Sequence, residues 1–222
     1  MTVGSDALNS FKLGIGGKKA FKYLFPTLSL EVDNDLRKSY KGGFTMVNPA
    51  YQNKVVSGIS FDVNSLYPSA MYGNMGPLPY GCPVWYDGKY KHNSKYPLYI
   101  QKLSCAFKLK PNKIPTIQLK GNLAYCPTEY ITDSKGIVDL VLTSVDLELL
   151  FEHYDVSNVE YYGGYMFRAS TTIFKRYIDY WAKIKAESTG GLRQLAKLML
   201  NSLYGKFATN PKKQNKIPRV ID

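Results

Sequence analysis

Hydrophobic positions along the chain follow two periods. YPLYIQKLSCAFKLK, residues 96–110, and PTIQLKG, residues 115–121, alternate apolar and polar positions, which predicts strands. TSVDLELLFEHY comes next, with Thr143 or Ser144 placed to cap and Val145, Leu147, Leu149, Leu150 and Phe151 as its apolar positions, which predicts a short helix. VEYYGGYMF, residues 159–167, returns to strand. From about residue 171 the period becomes 3.6: Ile173, Tyr177, Trp181 and Ile184 share one face of a helix over 171–187, and STGG at 188–191 breaks it. LRQLAKLMLNSLYGKF, residues 192–207, then winds into two faces. Leu192, Leu195, Met199 and Leu203 gather on one side and are expected to pack on the preceding helix. Arg193, Lys197, Asn201 and Tyr204 gather on the other as a ladder of two cations, an amide and a phenol. Such a face is either solvated or suited to a triphosphate and a base.

The first third is less periodic. Residues 28–72 alternate short apolar runs with turns, and GNMGPLPYGCPVWYDG at 73–88 is dense in Gly and Pro, which places a boundary there and makes the next stretch a separate small unit. Within SGISFDVNSLYPSAMY, residues 57–72, an apolar run read as a buried strand ends at a lone carboxylate, Asp62, and a Tyr67-Pro68 pair comes five residues later. Read by itself, a lone Asp62 at a strand end is expected to cap the adjoining turn.

Charge changes the picture. Lys plus Arg total 29 against 17 Asp plus Glu, a net +12, which favours a polyanionic partner, and 19 Tyr fit stacking on bases as well as half-buried strands. Cys82, Cys105 and Cys126 are an odd number at long spacings, which argues against a disulfide framework and against a zinc site of close cysteine pairs, so a reducing cytoplasm is expected. Only His92 and His153 occur, so metal chemistry falls to carboxylates, with magnesium or manganese. Neither a signal peptide nor a membrane span is expected. GIGGKK at 14–19 fails as a phosphate loop, since Lys12 and Lys19 stand where that motif needs Gly and Ser or Thr; a flexible basic loop is expected instead.

DVNSLYPS at 62–69 and KLMLNSLYG at 197–205 resemble the two nucleotide-binding motifs of family B DNA polymerases, on the palm and on a fingers helix, and SYKGGF at 39–44 resembles the Tyr-x-Gly-Gly segment that precedes the palm motif. Their order and spacing, with LTSVDLELLFEHYDVSNVEY between them, resemble the protein-primed bacteriophage subgroup, whose polymerases start from a terminal-protein hydroxyl. The resemblance implies an α+β fold: a partial palm with β-strands (1–73), a small α+β terminal-protein-region insertion (74–171), two antiparallel fingers helices (172–208) and the start of a second insertion (209–222).

It also implies roles. Asp62 and the Val63 carbonyl would bind the metals of a two-magnesium site, with Asp62 and Lys197 catalytic. The turn at Asn64, Ser65 and Leu66 would present backbone N–H groups to phosphate, and Tyr67 would lie under the sugar as a steric gate against ribonucleotides. Lys185, Arg193 and Lys197 would hold the triphosphate, with Asn201 and Tyr204 beside the nascent pair. Tyr40, Lys41, Gly42, Gly43, Phe44, Asn64, Gly205, Lys206 and Phe207 would contact DNA. Implied partners are primer-template DNA, deoxynucleoside triphosphates, a terminal protein and a C-terminal palm and thumb, in the cytoplasm of a bacterial host.

The family's second catalytic acid, in a Tyr-x-Asp-Thr-Asp hairpin downstream of the fingers, has no counterpart in these residues, nor has its proofreading domain. The chain is therefore expected to be a polymerase fragment, inactive alone. The alternative is a module that binds DNA or terminal protein without chemistry.

Overall fold

A computed structural model describes residues 2–119 and 130–209, and Cys126 and the segment from 210 lie outside the described residues. The chain divides into two compact units. One holds residues 2–24, 62–78 and 170–209, the other residues 25–61, 79–119 and 130–169.

The first unit is helical. α1 (Val3–Gly14) and α2 (Gly17–Leu24) open it, and the stretch read as a basic loop is the turn between them plus the start of α2. Gly16 and Gly17 take positive φ there, as a tight helix-to-helix turn requires. α4 (Leu66–Met71) is followed by Gly73, at φ +94, where a Cβ would meet the Thr171 carbonyl at 2.7 Å; only glycine lets the exit of α4 approach Thr171 so closely. α6 spans Lys175–Glu187 and α7 spans Gly190–Ala208.

Phe11 on α1 is fully buried among Phe21, Phe174, Tyr177 and Phe207, with the Phe174 ring stacked at 4.8 Å. α7 therefore packs on α1 as well as on α6, and its buried face is Ala196, Met199, Leu200 and Leu203. Leu192 and Leu195, expected to pack inward, are exposed. Two packing partners turn the buried stripe toward their shared seam, which a pattern drawn for one neighbour does not anticipate.

The second unit is an α+β sheet domain. Helix α3 (Leu30–Ser39) occupies part of the stretch read as apolar runs and turns. Ser29 Oγ caps it by accepting from Val32 N, with Glu31 and Asp33 in the first turn and Arg37 and Lys38 in the last, so its charges complement the helix dipole. β1 (Leu78–Asp87), β2 (Leu98–Leu109), β3 (Val138–Thr143) and β4 (Tyr154–Ser170) form a four-stranded sheet in the order β1-β4-β2-β3. β1 lies within the Gly- and Pro-rich stretch read as a boundary. It sits at the sheet edge, where Pro79 and Pro83, lacking an N–H, are tolerated.

Helix α5 (Ser144–His153) begins as the sequence predicts, with Thr143 Oγ1 accepting from Asp146 N. Its Leu147 and Leu150 close a core with Leu103, Cys105, Phe107, Ile117, Leu140, Leu142 and Tyr154. Burial pushes the Cys105 thiol up to about 11, so it behaves as a small apolar side chain. Of the PTIQLKG segment, the described residues 115–119 form no strand; Gln118 bridges Tyr130.

The strand expected to end at Asp62 is not formed. Residues 54–63 enter no ladder among the described residues, and Ile59 and Phe61 are 82% and 89% exposed. An apolar run becomes a strand only beside a second strand that takes its hydrogen bonds, and no strand of the described residues pairs with this one.

Candidate nucleotide-binding site

Helix α7 carries Arg193, Lys197, Asn201 and Tyr204 to one wall of a cleft in the helical unit, as its 3.6 period requires. Asp62, Val63, Asn64, Ser65, Leu66 and Tyr67, at the start of α4, form another wall, and Lys185 in the last turn of α6 joins them. The cleft is about 670 Å³, large enough for a nucleotide-sized ligand.

Tyr67 and Tyr204 stack face to face, centroids 4.2 Å apart and planes at 17°. Lys185 Nζ donates to Ser65 Oγ at 3.1 Å, and Arg193 Nη1 donates to the Lys185 carbonyl at 3.2 Å, satisfying an orphan acceptor at the end of α6. Three cations thus face a cleft whose lining contains a single carboxylate, Asp62. That imbalance favours a bound polyanion.

Two magnesium ions need several oxygen donors, chiefly carboxylates. Asp62 is exposed and is the only acid lining the cleft, and among the described residues no three His, Cys, Asp or Glu side chains come together. The donors fit one corner of such a site but do not hold two ions.

Other residues singled out in the sequence lie elsewhere. Tyr40, Lys41, Gly42, Gly43 and Phe44 belong to the sheet unit. There Lys41 Nζ donates to Asp146 Oδ1 at 2.9 Å and to the Thr116 carbonyl at 3.1 Å, an ion pair whose two side chains are each only 17% exposed. Phe44 packs on Tyr130, centroids 4.8 Å apart. In the helical unit Gly205 lines the cleft, whereas Phe207 points into the aromatic cluster around Phe11, and the Lys206 stem runs beside Gly4 of α1.

Gln194 and Leu200 also line the cleft and were not anticipated. Both fall about 100° or less from the ladder residues, so a face defined by four positions is drawn too narrowly.

The family described as DNA polymerase type B, organellar and viral, matches residues 1–220. The chain belongs to that family. Among type B relatives it is 51% identical over its full length to the DNA polymerase of Bacillus phage Nf, covering 39% of that protein, and 53% identical over 98% of its length to that of Bacillus phage phi29, covering 38%. The DNA polymerase of Streptococcus phage Cp-1 is 35% identical over 93% of the chain. The structure of phi29 DNA polymerase with primer-template DNA, a post-translocation binary complex, superposes with a TM-score of 0.91 at 51% identity, covering all of this chain and 38% of that one. The ternary complex of phi29 DNA polymerase with primer-template DNA and incoming nucleotide substrates gives 0.86 at 53% identity, over 95% of this chain and 37% of that one. The mixed helical and antiparallel-sheet fold is thus that of the type B polymerases, and the chain spans about two fifths of the length of these relatives.

Proposed function

We propose that this chain is the nucleotide-binding part of a DNA-directed DNA polymerase for protein-primed phage replication. The observation that carries it is the cleft in which the stacked Tyr67 and Tyr204 stand beside Lys185, Arg193 and Lys197. Rings suit the sugar and base of an incoming deoxynucleotide, and the cations suit its triphosphate.

In this reading Lys197 binds the triphosphate and protonates the departing pyrophosphate, while Arg193 and Lys185 offset charge that spreads over the phosphoryl oxygens. Tyr67 lies where its ring meets a 2′-hydroxyl and so excludes ribonucleotides. Asn201 and Gly205 face the template side. Magnesium or manganese would supply Lewis-acid and hydroxyl-activating chemistry; Asp62 and Val63 are this chain's contribution to holding it, with further acids from another segment. Proposed partners are primer-template DNA and deoxynucleoside triphosphates, supported by the complexes of the phi29 enzyme, and a terminal protein, supported by the family resemblance alone. No helix among the described residues is long and apolar enough to cross a membrane, and the proposed place of action is the cytoplasm of the bacterial host.

The lone carboxylate favours a second reading for the polypeptide by itself, a DNA- or terminal-protein-binding module without chemistry. One experiment separates the two. Primer extension is assayed with the chain alone, with the downstream palm and thumb segment of a type B relative supplied in trans, and with that segment plus Asp62→Ala. Activity only on complementation, lost in the variant, supports the polymerase reading; no activity in any arm, with DNA still bound, supports the module.

A further inference from the structure

Lys185 is fixed at both its backbone and its tip. Arg193 holds its carbonyl at 3.2 Å, and its ammonium donates to Ser65 Oγ at 3.1 Å. Ser65 in turn has an unusual backbone, φ +53 and ψ +47, the left-handed region that a residue with a Cβ seldom adopts. Its carbonyl enters α4 by accepting from Ser69 N at 2.9 Å, but its hydroxyl makes no capping bond to the helix. The ordinary use of a serine at this position is therefore not made. The hydroxyl is turned to Lys185 instead.

A second cavity explains why that matters. It has a volume of about 530 Å³ and shares Ser65, Lys185, Arg193 and Leu200 with the nucleotide cleft, so an untethered lysine has a choice of two spaces. We propose that Ser65 is a positioning residue that holds the Lys185 ammonium at the wall the two cavities share, in reach of the polyphosphate of an incoming nucleoside triphosphate in the nucleotide cleft. An ammonium has three N–H donors. Ser65 takes one and leaves two for phosphate oxygens, and a side chain already held loses less freedom when the ligand arrives. This inference rests on the nucleotide reading of the cleft given above.

The test is isothermal titration of deoxyguanosine triphosphate and monophosphate into the 222-residue chain and its variants. Ser65→Ala and Ser65→Gly should each weaken triphosphate binding roughly fivefold, the effect of freeing one long side chain, and weaken monophosphate binding by a smaller factor. Ser65→Asn, which tolerates the left-handed backbone and restores an acceptor, should recover most of the loss. Ser65→Gly relieves the backbone, so thermal stability should hold or rise while binding falls, a split that a merely structural serine would not produce. In a Lys185→Met background the Ser65 substitutions should have no further effect. Equal triphosphate affinity in wild type, Ser65→Ala and Ser65→Gly, or a loss that persists with Lys185→Met, overturns the positioning role. A wild-type chain that does not take up the triphosphate overturns the nucleotide reading as well.

Discussion

Tyr67, at the start of α4, and Tyr204, on α7, stack with centroids 4.2 Å apart and planes 17° from parallel. The pair ties the segment carrying Asp62 to the helix carrying Lys197, so the carboxylate and the cations keep a common frame. Replacing Tyr67 by Val removes the ring proposed above to meet a 2′-hydroxyl. In the complemented polymerase, single-turnover incorporation should then show ribonucleotides accepted at a rate approaching that of deoxyribonucleotides. Unaltered sugar discrimination would remove Tyr67 from the gate.

Lys197 is exposed on the cleft wall, and Lys197→Ala should cost one charge-assisted phosphate contact. The expected result is a loss of roughly tenfold or more in triphosphate affinity or transfer rate, equivalent to about 1.5–3 kcal/mol. Helical content by circular dichroism should not change. Wild-type kinetics in the variant would show that the α7 ladder is a solvated face.

The chain's net charge of +12 predicts salt-dependent affinity for single-stranded DNA even without catalysis. Binding of a fluorescent oligonucleotide should weaken steeply between about 50 and 200 mM salt as condensed counterions cease to be released favourably. A flat salt response would place the interaction in stacking alone.

The sheet unit offers a test of its packing at Gly163 and Gly164 on β4. Gly163 has φ +133 and a Cβ there would collide with the Tyr86 carbonyl and the Trp85 ring, while one at Gly164 would collide with the Ile100 carbonyl. Neither neighbour can yield, because backbone on both flanking strands is involved. Gly163→Ala and Gly164→Ala should each destabilise this unit by roughly 2–4 kcal/mol. The two tryptophans divide between the units, Trp85 in the sheet unit and Trp181 in the helical one, so urea titration followed by Trp85 fluorescence in a Trp181→Phe background isolates the effect.

Asp35 links α3 to the sheet: it accepts from Lys102 at 2.8 Å and Lys38 at 3.0 Å, and from the Tyr165 hydroxyl at 3.3 Å. Burial by itself would raise its carboxyl, but the hydrogen bonds and charges of Lys102 and Lys38 outweigh burial and hold it below the ordinary value of 3.8. A carboxylate depressed on folding adds stability above its unfolded value and loses it as the pH falls through the folded one. The sheet unit should therefore lose stability below about pH 4, and Asp35→Asn should flatten that part of the acid transition followed by Trp85 fluorescence. An unaltered acid limb would mean that other carboxylates govern it.

Local periodicity and cap chemistry belong to the sequence alone. The two faces of α7, the Thr143 cap of α5, the alternation in β2 and the spacing from Asp62 to Tyr67 are all set within a few turns or residues of chain. The signals for α3 were equally local, a Ser29 cap with acids before bases, and were legible once charge order along a helix is weighed with its apolar count. Tertiary structure decided the rest, because each remaining feature joins segments whose relation no local period encodes. The stack of Tyr67 on Tyr204 and the bond from Lys185 to Ser65 depend on how α4, α6 and α7 meet. Which leucines of α7 are buried depended on α1 as a second neighbour, and the engagement of Lys41 by Asp146 on the approach of α5. Residues 57–62 show the same division: their apolar pattern states a readiness to pair, and only a neighbouring strand, absent from the sheet of the described residues, converts readiness into a ladder.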